Sequence, residues 1–384
     1  MAWQHLTISA RPAEYSAQVE DLLDGWRKRD PEAVRIFRSC FPGFLDQQVT
    51  WLEKNLSESE MEAAPIGPDE ARLTLARWYS FRDWAALHAW VAEVGCPGSA
   101  IAAFERAVEA VVGGEAEMLR QLLRERPEMV RARSTRVTCH DPAVHGATLL
   151  HYVGANGVEA YRQRTPANAV EIAKILLEAG AETDALAGMY GGECATLPML
   201  VSSSWPAAAG LQVALAEMLL DYGAAVEGTG KGAWVSPLMT ALVFGYVETA
   251  RALVRRGASV STLAATAGLG LVPEVAARLP GASAADRHRA LALAAQLGEV
   301  EVVRLLVEAG EDLNRFNPEG FHAHGTPLHQ AAVAGHLAVV RLLVEAGARR
   351  DIQDKLWRAT PLGWAEYGGQ AAVADYLGCG SNCD

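Results

Sequence analysis

From Thr326 the chain reads TPLHQAAVAGHLAVVRLLVEAGA, a short apolar run, a small-residue turn, then a second run with apolar positions three and four apart. That spacing predicts two helices joined by a tight turn, the second ending where Gly347 permits a left-handed stop. The skeleton returns at Thr360 as TPLGWAEYGGQAAVADYLG, a shift of 34 residues. Earlier copies begin at Thr148, Thr196, Ser236, Leu263 and Ala290, and a weak one, FERAVEAVVGGEAEMLRQLL, spans 104–123. About eight helix-turn-helix units are therefore expected over residues 104–380. Each carries apolar residues on two faces and must stack on its neighbours to hide them.

Residues 1–95 do not keep this period, yet VEDLLDGWRKRDPEAVRIFR and DEARLTLARWYSFRDWAALHAWVAEV place apolar residues at helical spacing. Asp30 followed by Pro31 reads as a helix start. Six of the ten Trp, at 3, 26, 51, 78, 84 and 90, fall here, so a helical, Trp-rich N-terminal cap is expected. A linker is placed at 96–103, and the polar stretch 57–70 reads as disordered.

The Thr-Pro-Leu-His opening at Thr326 to His329, partly kept at Thr148, Ser236 and Thr360, resembles the ankyrin repeat family. So do the glycines that end second helices at Gly180, Gly223, Gly257 and Gly347. The stretch from Leu75 to Leu87 is similar to the helical leader before some bacterial ankyrin arrays. The resemblance implies an all-α solenoid with hairpin fingers. It also implies a role in protein recognition, and that His151 and His329 hydrogen-bond their own turns.

Composition narrows the function classes. Half of the 384 residues are hydrophobic, ample for a core, and the net charge of -12 disfavours general nucleic-acid binding. No stretch approaches the roughly 18 apolar residues of a membrane helix, so no membrane partner is expected and the location reads as cytoplasmic. Six scattered cysteines read as reduced thiols. Neither a phosphate-cradling glycine loop nor a nucleophile elbow occurs, and no cofactor is expected. Cys139, His140 and His145, or His322 and His324, do not match zinc spacings, so no metal is expected either.

Two units are swollen, and departures from a repeat rule mark candidate sites. Insertions fall at 158–168 and 203–210, between the helices of the second and third units. Residues 131–168 hold Arg131, Arg133, Arg136, Arg162 and Arg164 against Asp141 and Glu159, a local +3. The leading expectation is a scaffold that binds a protein partner through its fingers at 184–195, 227–235, 311–325 and 349–359, with Met189, Tyr190, Trp234, Phe316, Phe321, His322 and Trp357 as anchors. The rival is a pocket for a small anionic ligand, roofed by the insertions and lined by Arg136, His140, Tyr152, Tyr161, Arg162, Arg164, Tyr190 and Trp205. Were it an enzyme, Tyr152, Tyr161 and His145 would supply acid-base help. A third reading lets the insertions merely pack against the Trp-rich cap.

Overall fold

The computed structural model describes residues 3–232 and 235–379. Its contacts divide the chain into two units, Met1–Ala224 with Thr229–Gly232, and Ala225–Gly228 with Ala233–Asp384. The linker expected at 96–103 lies inside the first unit, where Ser99 caps a helix over Ala100–Gly113 by accepting from the Ala102 amide.

In the first unit, helices Pro12–Arg27, Pro31–Cys40, Pro68–Trp78 and Trp84–Gly95 enclose a core that includes Leu22, Ile36, Phe37, Leu75 and Leu87, all fully buried. Asp30 caps the second of these by accepting from the Glu32 and Ala33 amides, as its position before Pro31 predicts. The stretch read as disordered instead contains a helix over Glu58–Ala63. Ser57 and Glu60 satisfy each other's backbone amides in a capping box there, a local signal that the polar composition hides.

Beyond them the unit is two-layered. Helix Leu149–Val153 packs between Ala100–Gly113 and Thr196–Leu200, while Ala169–Glu178 packs between Ala116–Glu125 and Gln212–Asp221. The chain is helix-rich as expected, but one small sheet departs from the all-α reading. Strands Ala187–Met189, Gly192–Cys194 and Gly230–Lys231 form an antiparallel sheet in sequence order. At Gly230, φ is +107° and a Cβ would lie against the Glu193 carbonyl, so only glycine lets the third strand approach.

The second unit repeats one design. Inner helices Leu263–Gly268, Ala284–Leu297, Pro327–Val333 and Pro361–Tyr367 stack in order, as do outer helices Val300–Glu308, Leu337–Glu345 and Ala371–Gly378. Leu291, Val302, Leu306, Leu328, Val340 and Leu343 are wholly buried between the layers. Burying each such side chain contributes roughly 1.5–3 kcal/mol. The predicted glycine stops at 257 and 347 have φ of +99° and +101°, and those at 180 and 223 in the first unit have +94° and +91°.

Candidate functional site

The insertion at 158–168 turns inward. A single helical turn over Ala160–Arg162 sends Arg162 into the first unit, where it is 1% exposed. A guanidinium so placed demands carboxylates. It donates to Glu105 Oε2 at 2.5 Å, Glu159 Oε2 at 3.1 Å and Glu109 Oε1 at 3.1 Å. Glu105 and Glu109 stand one turn apart on helix Ala100–Gly113.

Arg136 enters from the extended segment before Leu149–Val153. Its guanidinium lies between Phe81 and Trp90, 4.4 Å from each ring centroid, with Nε 3.5 Å from Glu105 Oε1 and 3.8 Å from Glu159 Oε1. Among the described residues, Nε and Nη2 find no hydrogen-bond acceptor, so aromatic faces and nearby carboxylates meet this charge.

Glu159 is the hub. His145 Nε2 is 3.1 Å from Oε1, and the Tyr152 hydroxyl donates to the same oxygen at 3.2 Å. His145 Nδ1 accepts from the Ala147 amide, which leaves the proton on Nε2 to be donated to Glu159. Burial opposes the ionised carboxyl, yet Arg136, Arg162 and the His145 hydrogen bond hold it well below the ordinary range. Burial also opposes the charge of Arg162, but Glu105, Tyr161 and Glu159 push its pKa well up. Desolvation raises the Tyr152 hydroxyl far above its usual value. The cluster thus consists of charges that answer one another.

Tyr161 explains why the insertion folds this way. Its ring stacks on His5, which stacks on Trp78 in turn, at centroid separations of 4.6 and 3.8 Å. Burial holds the His5 ring at a pKa of about 4, so it packs as a neutral ring. Packing against the N-terminal helices, the blandest of the three readings, describes this insertion. The cavity beside Tyr152 and Glu159 has a volume of about 20 Å³, enough for one water. An anionic ligand pocket under the insertions is not supported by this packing, because Arg136 and Arg162 are occupied by the chain's own carboxylates.

The other expected residues are scattered. His140 and Arg164 are exposed, Arg164 lying 3.6 Å from Glu109. Tyr190, in the left-handed region at φ +54°, is half exposed and donates from its hydroxyl to Asn156. Trp205 is half exposed on a short helix over Ser204–Ala208. Trp234 lies outside the described residues. Glu105, Glu109 and His5 are absent from the expectation, which places Phe81 and Trp90 only in the N-terminal cap. Glu105 carried one readable signal, an acid between Phe104 and Ala107 on the apolar face of a helix.

In the second unit, His329 Nδ1 accepts from the Thr326 amide at 3.2 Å, so its Nε2 donates to the Ala359 carbonyl. His151 repeats this in the first unit, between Thr148 and the Cys194 carbonyl. Each ring therefore serves its own turn and also ties it to the segment before the next helix pair.

The finger over 349–359 is built on Asp354, which is wholly buried. Its carboxylate accepts from the amides of Leu356, Trp357 and Ala359 and from Trp364 Nε1, all at 2.7–3.0 Å. Burial alone would raise its pKa, but these hydrogen bonds lower it. The turn so fixed holds Trp357 outward, 53% exposed, with its ring edge-on to His324 at 5.2 Å and to Trp364 at 6.1 Å. Tyr367, three residues beyond Trp364 on the same helix, is 92% exposed. Phe321 is half-buried, and Phe316 is covered by Lys355. In the same unit His322 donates from Nε2 to the Val243 carbonyl at 3.2 Å.

A family model described as ankyrin repeats matches residues 263–354 and again 291–384, in three copies. The C-terminal helix pairs are ankyrin repeats. Such repeats are generally protein-interaction scaffolds. No curated protein matches the chain. Among the described residues no helix is long and apolar enough to cross a membrane, and no three His, Cys, Asp or Glu side chains group as metal ligands. Within the ankyrin repeats, the finger around Trp357 presents a large exposed ring on a rigid support.

Proposed function

We propose that this chain is a recognition scaffold that binds a protein partner through the fingers of its ankyrin repeats. In this reading about eight helix pairs over 104–380 form the array behind a helical N-terminal cap, and it works in the cytoplasm. The observation that carries it is Trp357, a large ring left half in water although four hydrogen bonds to Asp354 fix its turn. Exposed aromatics on rigid supports are the residue type that dominates interface energies, because burying them costs little conformational entropy. Tyr367, at the other end of the helix that Thr360 opens, is a second large exposed ring of this repeat.

The test is affinity purification from the source cells with the wild-type chain, the Trp357→Ala, Tyr367→Ala double variant, and a Trp51→Ala control. A protein recovered in stoichiometric amount by the wild type and the control, and lost from the double variant, is the expected result. Equal recovery by all three would place the interface elsewhere.

A further inference from the structure

The surface around Trp357 is chemically biased. The finger over 349–359 holds Arg349, Arg350, Lys355 and Arg358 against Asp351 and Asp354. Arg349 is paired with Asp351 at 2.8 Å, and Asp354 is consumed by its own turn. Lys355, Arg350 and Arg358 remain, and among the described residues none lies within ion-pair distance of a carboxylate. Elsewhere in this unit Arg251, Arg289 and Arg304 are paired along their helices with Glu248, Asp286 and Glu301, while among the described residues the exposed Arg255, Arg278, Arg315 and Arg341 have no carboxylate within ion-pair distance. In a chain of net charge -12, carboxylates are the plentiful group. What sets Arg350, Lys355 and Arg358 apart is that all three fall on one finger, within residues 350–358.

Their placement supports a common use. Lys355 lies over the Phe316 ring, with Nζ 4.5 Å from the centroid, and Arg350 lies over Tyr376 at 5.1 Å, so aromatic faces steady both. Arg358 directly follows Trp357 and sits in the left-handed region at φ +57°. That backbone conformation is costly for a side chain with a Cβ and persists only where the surroundings impose it. Here the Asp354 turn on either side imposes it, since Trp357 and Ala359 both donate to that carboxylate.

We propose that this finger takes an acidic segment of the partner protein, with an apolar anchor on the exposed Trp357 ring and flanking carboxylates on Lys355 and Arg358. The inference rests on the scaffold reading and adds the chemistry of what is read. Guanidinium and ammonium groups beside an exposed indole favour that pairing of charge with an aromatic or aliphatic side chain. A basic segment meets like charge at the same place.

The experiment uses the full chain and a fluorescein-labelled peptide in which Glu and Asp flank a central Phe-Leu pair, read by fluorescence anisotropy. The arms are the same peptide with Lys for every acid, the same peptide with Ala for Phe-Leu, and a labelled single-stranded oligonucleotide. Expected is binding of the acidic peptide that weakens with salt and falls about tenfold in Lys355→Glu, Arg358→Glu and again in Trp357→Ala, with circular dichroism unchanged. Four results overturn the proposal: no binding of the acidic peptide, equal binding by the variants, equal or tighter binding of the lysine peptide or oligonucleotide, or a dimer in sedimentation that Trp357→Ala dissociates. If the acidic peptide is not bound while the cellular partner still depends on Trp357 and Tyr367, the scaffold reading stands and only the partner chemistry falls.

Discussion

The two swollen helix pairs of the first unit and the near-regular pairs of the second solve the same packing problem with different chemistry. In the second unit the space between helix layers is filled by Leu, Val and Ala, and each repeat needs only its neighbours. In the first unit an insertion of irregular length delivers Arg162 where a regular repeat has a short turn, and ionised groups fill the space. Apolar packing tolerates variation in detail, whereas a buried ion cluster must be complete or not present at all. The comparison teaches that the enlarged junction acts as a structural lock on the N-terminal helices, while the exposed chemistry lies on the regular repeats.

The largest expected effect breaks that lock. Arg162→Met leaves Glu105 and Glu159 buried with less counter-charge, and a loss of about 3–5 kcal/mol is expected in hydrogen-exchange protection of 100–113 and 149–162. A loss below about 1 kcal/mol would show that the cluster is hydrated and loosely held.

Leu291→Ala in the second unit removes a fully buried side chain and is expected to cost roughly 2–5 kcal/mol, read as protection lost over 284–308. The two variants sharpen the contrast through their pH dependence, since deleting an apolar side chain changes no titrating group.

Acid provides the next test. The folded pKa of Glu159 lies below its ordinary 4.5, so its stabilisation is held above about pH 4.5 and lost as the pH falls further. Burial lowers His151 from 6.5 to about 4, so the unfolded chain takes up that proton first and stability declines from pH 6.5 towards 4. Glu159→Gln is expected to remove the lower limb of the acid transition while weakening the first unit at neutral pH. Retention of the lower limb would assign it to other carboxylates.

The smallest effect is expected at Trp357→Ala, within about 0.5 kcal/mol of wild type by chemical denaturation, because the ring is half in water and the Asp354 turn does not depend on it. A larger loss would make Trp357 a packing residue.

Much of the fold was legible because repeat period and glycine stops are local signals. Thr326 and His329, or Gly180 and Gly257, announce themselves within a few residues. The ion cluster was only half legible. The sequence singles out Arg136, Arg162, Tyr152 and Tyr161 as lining a roofed pocket for an anion, and His145 as acid-base help, because counting charge over 131–168 omits Glu105 and Glu109 from an earlier helix. The pairing depends on separations of 53 and 57 residues, which no local rule reaches. Trp357 was expected at a finger, whereas the Asp354 turn that aims it required coordinates.

The histidines that open His151's and His329's helix pairs address main-chain carbonyls at Cys194 and Ala359, not side chains. Such a clasp asks nothing of the amino-acid identity on the far side. Adjacent modules can accordingly drift apart in composition, acquire long inserts or be duplicated, and still be fastened by the same imidazole.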